Sequence, residues 1–267
     1  MTELSVKASV ANTSGSGPTS QGSGTQALQG GDRPGPAPEA DLFAERVRLH
    51  ALDKGLTKIH VLEAGCGRGP GLALPDGIAR HVTGIDVDAP ALRTGTMARA
   101  DLDVYHLGDL RRAPLPPRSF DVVHADALIE RIAHAELVMD RMVAALKPGG
   151  LLLVRFIDRD SAQGLLRRAL PRRALGLLGV AGSRGETPRE SPAAVFEPVS
   201  SLAGFRSWCL MRGLVIAEAH VHRVPASTPA RVLARLIAIA THGRFTSGHA
   251  ELSLVIRKPE NRFARII

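Results

Sequence analysis

The chain has 267 residues, 44% of them hydrophobic, enough to bury a full core in one domain or slightly more. Its formal net charge is +8 and its aromatic content 3%, with one Trp and one Tyr; so few rings argue against a nucleic-acid binder that stacks bases. Its two cysteines, Cys66 and Cys209, have no metal-site spacing and speak against a disulfide framework, which fits a reducing cytoplasm.

Residues 1 to about 40 are Ser, Gly, Thr, Gln, Pro and Ala with almost no large apolar side chains, so a disordered tail is expected. The opening lacks a basic start followed by an apolar run, so no secretion signal is read, and no apolar stretch approaches a membrane span. The tail carries Lys7 and Arg33 against Glu3, Asp32 and Glu39, a net of 2 − 3 = −1, which leaves +8 − (−1) = +9 on the rest. The folded domain is expected over 41–267. "DLFAERVRLHAL" opens it as a helix, with Asp41 able to cap and Leu42, Phe43, Val47 and Leu49 at helical spacing.

Strands are then expected at "KIHVLEAG", "ARHVTGIDVD", "DLDVYHLGDL" and "SFDVVHADAL". "AELVMDRMVAALKPGG" reads as a helix with apolar positions Leu137, Val138, Met142, Val143 and Leu146, stopped by Pro148-Gly149-Gly150. "LLLVRFI" is a continuous apolar run of the buried-strand kind. A helix at "SSLAGFRSWCLMRG", a strand at "LVIAEAHV", a helix at "PARVLARLIAIA" and a last strand at "ELSLVIRKP" complete the chain. Strands alternating with helices predict an α/β fold, a doubly wound parallel sheet with helices on both faces.

The chemistry gathers around "VLEAGCGRG". Gly65, Gly67 and Gly69 allow positive φ and close approach of backbone amides to a ligand. The dinucleotide fingerprint G-x-G-x-x-G fails in both registers, because its sixth position is Pro70 or Leu72. Glu63 stands beside the turn, where it would repel a pyrophosphate. Asp86, about twenty residues after the first glycine, ends the second strand at the usual place for an acid that accepts both ribose hydroxyls, with Val87 beside it. Asp109 ends the third strand, with Leu110 next to it. Three acids at the carboxyl edge of a parallel sheet, without a phosphate cradle, suit a nucleoside ligand with net positive charge, as S-adenosylmethionine is.

At these residues the sequence resembles the class I S-adenosylmethionine-dependent methyltransferases, from about Asp41 to Val154. "VLEAGCGRG" is similar to that family's first motif, "VTGIDVDAPAL" to its second, "GDLRRAPLPPRSFDVVHADALIERI" to the next two, and "LKPGGLLLVRF" to the one at the fifth strand. The resemblance implies a Rossmann-like seven-stranded sheet, mostly parallel, with the last strand antiparallel. It implies that Gly65, Cys66 and Gly67 line the methionine end of the cofactor and that Glu63 holds its amino group. Asp86 would bind the ribose, Asp109 would accept from the adenine amino group, and the Leu110 amide would donate to the ring. Pro70, Gly71 and Pro75 depart from the family, which has a regular helix there, so the first helix is expected to be brief. Glu130-Arg131 stands where the family often shows Glu-His. Alternatives stay open: Glu63 pairing with Arg68, Asp86 capping a helix while Asp88 binds the ribose, and Asp109 as a turn residue.

Methyl transfer needs a base only when the acceptor arrives protonated, and His124 and Asp126 at the end of the fourth strand are the candidates. Two insertions, about 159–198 and 224–249, are where acceptor specificity is expected. The first contains Arg167, Arg168, Arg172, Arg173 and Arg184 with no acid in Ser161 to Arg184. It reads as a lid, an amphipathic helix pair or a membrane-surface element. The expected partner is a small organic acceptor, with nucleic acid disfavoured, no stable membrane insertion, no metal, and the oligomeric state open. An RNA or protein methyltransferase and a cofactor-binding partner without turnover are the rival readings.

Overall fold

The computed structural model describes residues 39–67, 71–74, 76–177, 194–222, 227–247 and 250–260. All lie within the unit running from Ala37 to Ile267. The tail expected to be disordered (apart from its last two residues), Arg68 to Pro70, Pro75 and 178–193 of the first insertion lie outside the described residues.

The elements run α1 (Glu39–Lys54), β1 (Lys58–Ala64), β2 (Ala79–Asp86), α2 (Pro90–Ala98), β3 (Val104–Leu107), β4 (Phe120–Asp126), α3 (Ala135–Ala145) and β5 (Leu146–Ile157). There follow α4 (Ala162–Ala169), α5 (Arg172–Leu177), α6 (Leu202–Met211), β6 (Val215–His222), α7 (Thr228–Ala240) and β7 (Glu251–Arg257). The strands form one seven-stranded sheet in the order β3-β2-β1-β4-β5-β7-β6. β1 to β5 pair in parallel, and β7 runs antiparallel to both of its neighbours, β5 and β6. This is the expected α/β sheet with its antiparallel last strand.

Alternation along the strands sends side chains to two cores. Leu62, Ala64, Val123, Ala125, Leu152, Val154, Leu252 and Leu254 face one side, where α3 and α6 cover them with Val138, Met139, Met142, Phe205 and Trp208. Ile59, Val61, Val122, Leu151, Leu153 and Val255 face the other, where α1 lays down Phe43, Val47 and Ala51. Those three lie four apart, one stripe of a helix. Glu63, His124 and Arg155 share the parity of the α1 side, so the same alternation delivers three polar side chains under α1 at the strands' carboxyl ends.

Two expectations are corrected. The helix over 135–145 buries Ala135, Val138, Met139, Met142 and Ala145, and Leu137 is exposed because it sits one position off that stripe. Leu146 belongs not to the helix but to β5, which also takes in Pro148-Gly149-Gly150; there Gly149 N–H donates to Lys258 O, and Lys258 N–H to Gly150 O. The brief helix expected after the glycine turn is absent among the described residues, 71–74 and 76–78.

The α6 side depends on one large residue. Trp208 is fully buried, packs against Phe205 at 5.3 Å between ring centroids, lies under the Arg212 guanidinium, and donates from Nε1 to Asp140 at 3.1 Å. Trp208→Ala is expected to destabilise the fold by about 3–5 kcal/mol, seen as a lower urea midpoint by circular dichroism with an unchanged slope.

Candidate functional site

The site begins where β1 ends. Parallel pairing of β1 with β4 sets Glu63 directly beside His124. Both are buried, and Glu63 Oε2 lies 2.9 Å from His124 Nδ1. The other carboxylate oxygen accepts from the Leu72 N–H at 2.7 Å. Burial pushes the Glu63 carboxyl up, but the charge and hydrogen bond of His124, the Leu72 N–H and Arg99 outweigh it and hold the group below its ordinary value. Burial pushes the His124 ring down, yet Glu63 and Asp126 prevail and raise it. The pair is therefore a buried carboxylate against an imidazolium.

Phe43 of α1 closes over this pair. Its ring meets that of His124 edge-on at 5.7 Å, and the Arg155 guanidinium carbon lies 5.2 Å from its centroid. Arg155, buried on β5, donates to Ser253 Oγ at 3.2 Å and stands 3.6 Å from Asp126. Asp126 itself is half-exposed at the end of β4.

The glycine turn follows β1 with Gly65 at φ +70° and Gly67 at φ +36°. Gly65 and Cys66 N–H donate to Ile85 O, and Gly67 N–H donates to Asp86 Oδ2 at 2.5 Å. A Cβ on Gly67 would lie 3.2 Å from that same oxygen, and one on Gly65 3.0 Å from Leu128. Arg99, ion-paired with Asp101, donates to Cys66 O at 2.8 Å. Cys66 is buried filler: burial raises its thiol to about 11, and its sulfur lies where a side chain on Gly84 would have to go.

Asp86 is buried at the end of β2, with one oxygen on Gly67 N–H and the other on Val87 N–H at 2.7 Å. Burial raises its carboxyl and outweighs the two donors and Arg99. No described cation forms an ion pair with it, so each oxygen keeps a lone pair for a further donor. Asp86 does not cap α2, whose N-cap is Ala89, and Asp88 is spent on Arg93 at the surface. At the next strand end, Asp109 is half-exposed and grips Arg111 with both oxygens at 2.7–2.9 Å, which holds its carboxyl down at about 2. Its carbonyl takes the Arg112 and Ala113 N–H groups, as in a turn. The Leu110 N–H beside it has no acceptor among the described residues.

Gly65, Cys66, Gly67, Glu63, His124, Asp86 and Val87 thus come together through direct contacts, whereas Asp109 turns to Arg111. Phe43, Leu72 and Arg155 were not read as site residues from sequence. Arg155 had a signal, a charge inside the apolar run "LLLVRF"; Phe43 and Leu72 had none. Arg68, the alternative partner for Glu63, lies outside the described residues. Glu130 also went unassigned. It is buried, accepts from Ile157 N–H through one oxygen, and leaves Oε2 without a partner among the described residues, and burial raises its carboxyl to about 7. No described group of His, Cys, Asp and Glu could hold a metal ion.

Residues 62–154 match the family model described as a methyltransferase domain. The chain is 37% identical over 99 residues to a protein of Mycolicibacterium smegmatis named as a probable S-adenosylmethionine-dependent methyltransferase, covering 37% of this chain and 38% of that one. It is 34% identical over 110 residues to an uncharacterized methyltransferase of Mycobacterium tuberculosis, covering 39% and 54%. The chain therefore spans about half or less of the length of these relatives. Among solved structures it resembles the YcgJ protein of Bacillus subtilis, with a TM-score of 0.51 at 15% identity over 80% of this chain and 97% of that one. A protein of Galdieria sulphuraria, provisionally assigned as a sarcosine dimethylglycine methyltransferase, gives 0.51 at 16% identity over 83% and 85%. These structural likenesses establish the fold.

Two outcomes follow from the charges. His124→Ala leaves the Glu63 carboxylate buried without its counter-charge and is expected to cost about 3–5 kcal/mol at neutral pH, measured by urea unfolding; Glu63→Gln/His124→Ala together should cost less than His124→Ala alone. Glu130 binds its proton more tightly folded than unfolded, so stability falls as pH rises from the ordinary carboxylate range through about 7. Glu130→Gln is accordingly expected to raise Tm relative to wild type at pH 8 and to leave it unchanged near pH 5.

Proposed function

We propose that this chain, a member of the class I S-adenosylmethionine-dependent methyltransferases, transfers a methyl group to a small organic acceptor by direct in-line displacement. The observation that carries the reading is Asp86, a buried carboxylate at the strands' carboxyl edge that is held only by neutral N–H donors and keeps acceptor capacity on both oxygens. Two adjacent hydroxyls of a ribose match that capacity. Gly67 supports the fit, since any side chain there would crowd the same carboxylate.

The remaining roles follow from position. Gly65, Cys66 and Gly67 line the methionine end, and Glu63 faces the ammonium group. His124 works through Glu63, as a positioning residue that keeps the carboxylate ionised and fixed. The Leu110 N–H, open to an acceptor, serves the adenine ring. Asp109 reaches the adenine amino group only by giving up part of its grip on Arg111.

Bound S-adenosylmethionine supplies a methyl group activated by a sulfonium and a neutral thioether as the leaving group. What the chain contributes is alignment of the acceptor, the largest share of the acceleration such a reaction needs. Phe43 and α1 close the site on one side and exclude water there. Asp126, half-exposed and beside Arg155, is the group that takes a proton from a hydroxyl or carbon-acid acceptor; His124, committed through Nδ1 to Glu63, is the less available of the two. The names of two further relatives support an acceptor bearing a carboxylate, free in one and carried on a protein in the other. A trans-aconitate 2-methyltransferase of Paracidovorax citrulli is 32% identical over 102 residues, and a malonyl-[acyl-carrier protein] O-methyltransferase of Erwinia billingiae is 29% identical over 105.

Asp86→Ala is expected to weaken S-adenosylmethionine binding by about 1.5–3 kcal/mol, roughly ten- to more than a hundredfold, in calorimetry on protein whose unfolding midpoint is otherwise near wild type. Unchanged affinity contradicts the ribose assignment. Transfer of label from the cofactor to small metabolites, absent with RNA and protein fractions, separates the small-acceptor reading from its rivals. Binding with no transfer to any of them points to a partner without turnover.

A further inference from the structure

The described parts of the two insertions stand at the carboxyl edge of the sheet. α4 starts just beyond the end of β5, its N-terminus capped by Ser161 Oγ, which accepts from Gly164 N–H at 2.9 Å. α7 follows β6 and packs against α4. The loop after α7 is stitched to the start of α4: Ala162 N–H donates to Thr246 O, Thr246 N–H donates to Asp160 O, and Arg168 of α4 lies over Phe245. These segments form one surface.

The helices of that surface are one-signed, and Asp160 stands at its border. Residues 161–177 hold four arginines and residues 227–247 three, and neither stretch contains an aspartate or glutamate. Arg173, Arg231, Arg235 and Arg244 are exposed, and none forms an ion pair among the described residues. The surface is also apolar. On α7 only Ala230 is buried, and Val232, Leu236 and Ile239 stand 50%, 56% and 73% exposed at positions i, i+4 and i+7. Arg231 and Arg235 flank that stripe four residues apart. An exposed aliphatic row bordered by arginines, on a helix that carries no carboxylate, has the pattern of a helix that lies in a membrane–water interface. The aliphatics enter the headgroup boundary, and the guanidinium groups reach back to anionic headgroups.

We propose that the exposed face of α7, with Arg244 of the loop that follows it, docks the protein peripherally on an anionic lipid surface. Charge complementarity selects this occupant over a second copy of the chain, whose identical face would bring arginine against arginine. No described helix is long and apolar enough to cross a membrane, so the contact is one of adsorption. The proposal does not rest on methyl transfer, since it concerns a surface apart from Asp86 and Glu63 and is tested without cofactor.

The test is co-sedimentation of the full-length chain with vesicles of phosphatidylcholine alone and of phosphatidylcholine mixed with phosphatidylglycerol. Sedimentation with the mixed vesicles only, weakened by salt, is the expected result. Arg231→Ala/Arg235→Ala should lower partitioning by roughly tenfold or more. Leu236→Ser/Ile239→Ser should lower it even at low salt, because the aliphatic row takes part. All four positions are exposed, so unfolding midpoints should stay at the wild-type value. No sedimentation, or sedimentation that both double variants leave untouched, overturns the proposal. So does capture of an acidic carrier protein or of RNA that the variants abolish while the wild type ignores vesicles, which would assign the surface to that polyanion.

Discussion

A buried carboxylate and an imidazolium lie side by side on adjacent parallel strands, with one phenyl ring edge-on to the imidazole. The rest of the candidate site is arranged around that pair. Glu63 and His124 face each other because β1 and β4 pair in that register; a slip of β4 by one residue would turn His124 to the α3 side and leave Glu63 without it. Each partner makes the charge of the other tolerable at this depth. Neither would stay ionised alone in so dry a place, and a carboxylate that protonates could no longer receive a cation. The second oxygen of Glu63 then fixes the chain beyond the glycine turn through Leu72 N–H. One buried ion pair thus links two strands, a loop and α1.

The glycine turn shows a second constraint. Where a regular helix would order the segment after β1, the described residues have none, and the loop is held instead from outside. Ile85 O takes two of its N–H groups, Asp86 a third, and Arg99 holds the Cys66 carbonyl. Asp86 therefore has two tasks at once. It closes the turn through Gly67 and keeps acceptor capacity toward the open edge. Burial without a cation leaves its carboxyl raised, so a ligand that donates hydrogen bonds or brings positive charge is favoured where an anionic one is not.

At the same edge the strand ends and the helices α4 and α7 differ in sign. Glu63 and Asp86 make the sheet end acidic, and Asp109 near it is neutralised by Arg111. The charges of α4 and α7 are all basic. This division of charge between loops and scaffold is a matter of sites placed on a fold rather than of the fold itself.

Much of this was legible in the residues. Alternation of strand and helix signals, the glycine turn without a phosphate fingerprint, and the spacing of Glu63, Asp86 and Asp109 follow from local patterns of period 2 and 3.6 and from turn chemistry, which neighbouring residues alone dictate. The sequence by itself determined the parallel α/β sheet and the acids at its carboxyl edge, and the antiparallel last strand came from the family resemblance. Only the tertiary structure decided what those acids touch. His124 looked like a base at a strand end, but its ring nitrogen is committed to Glu63, 61 residues away. Asp109 looked like Asp86, yet an arginine two residues on takes it up. Leu137 fitted a helical spacing and still faces solvent. Phe43 gave no sign of closing the site. Such pairings depend on register and on the side of the sheet a helix covers, and these are set by contacts between segments far apart in the chain.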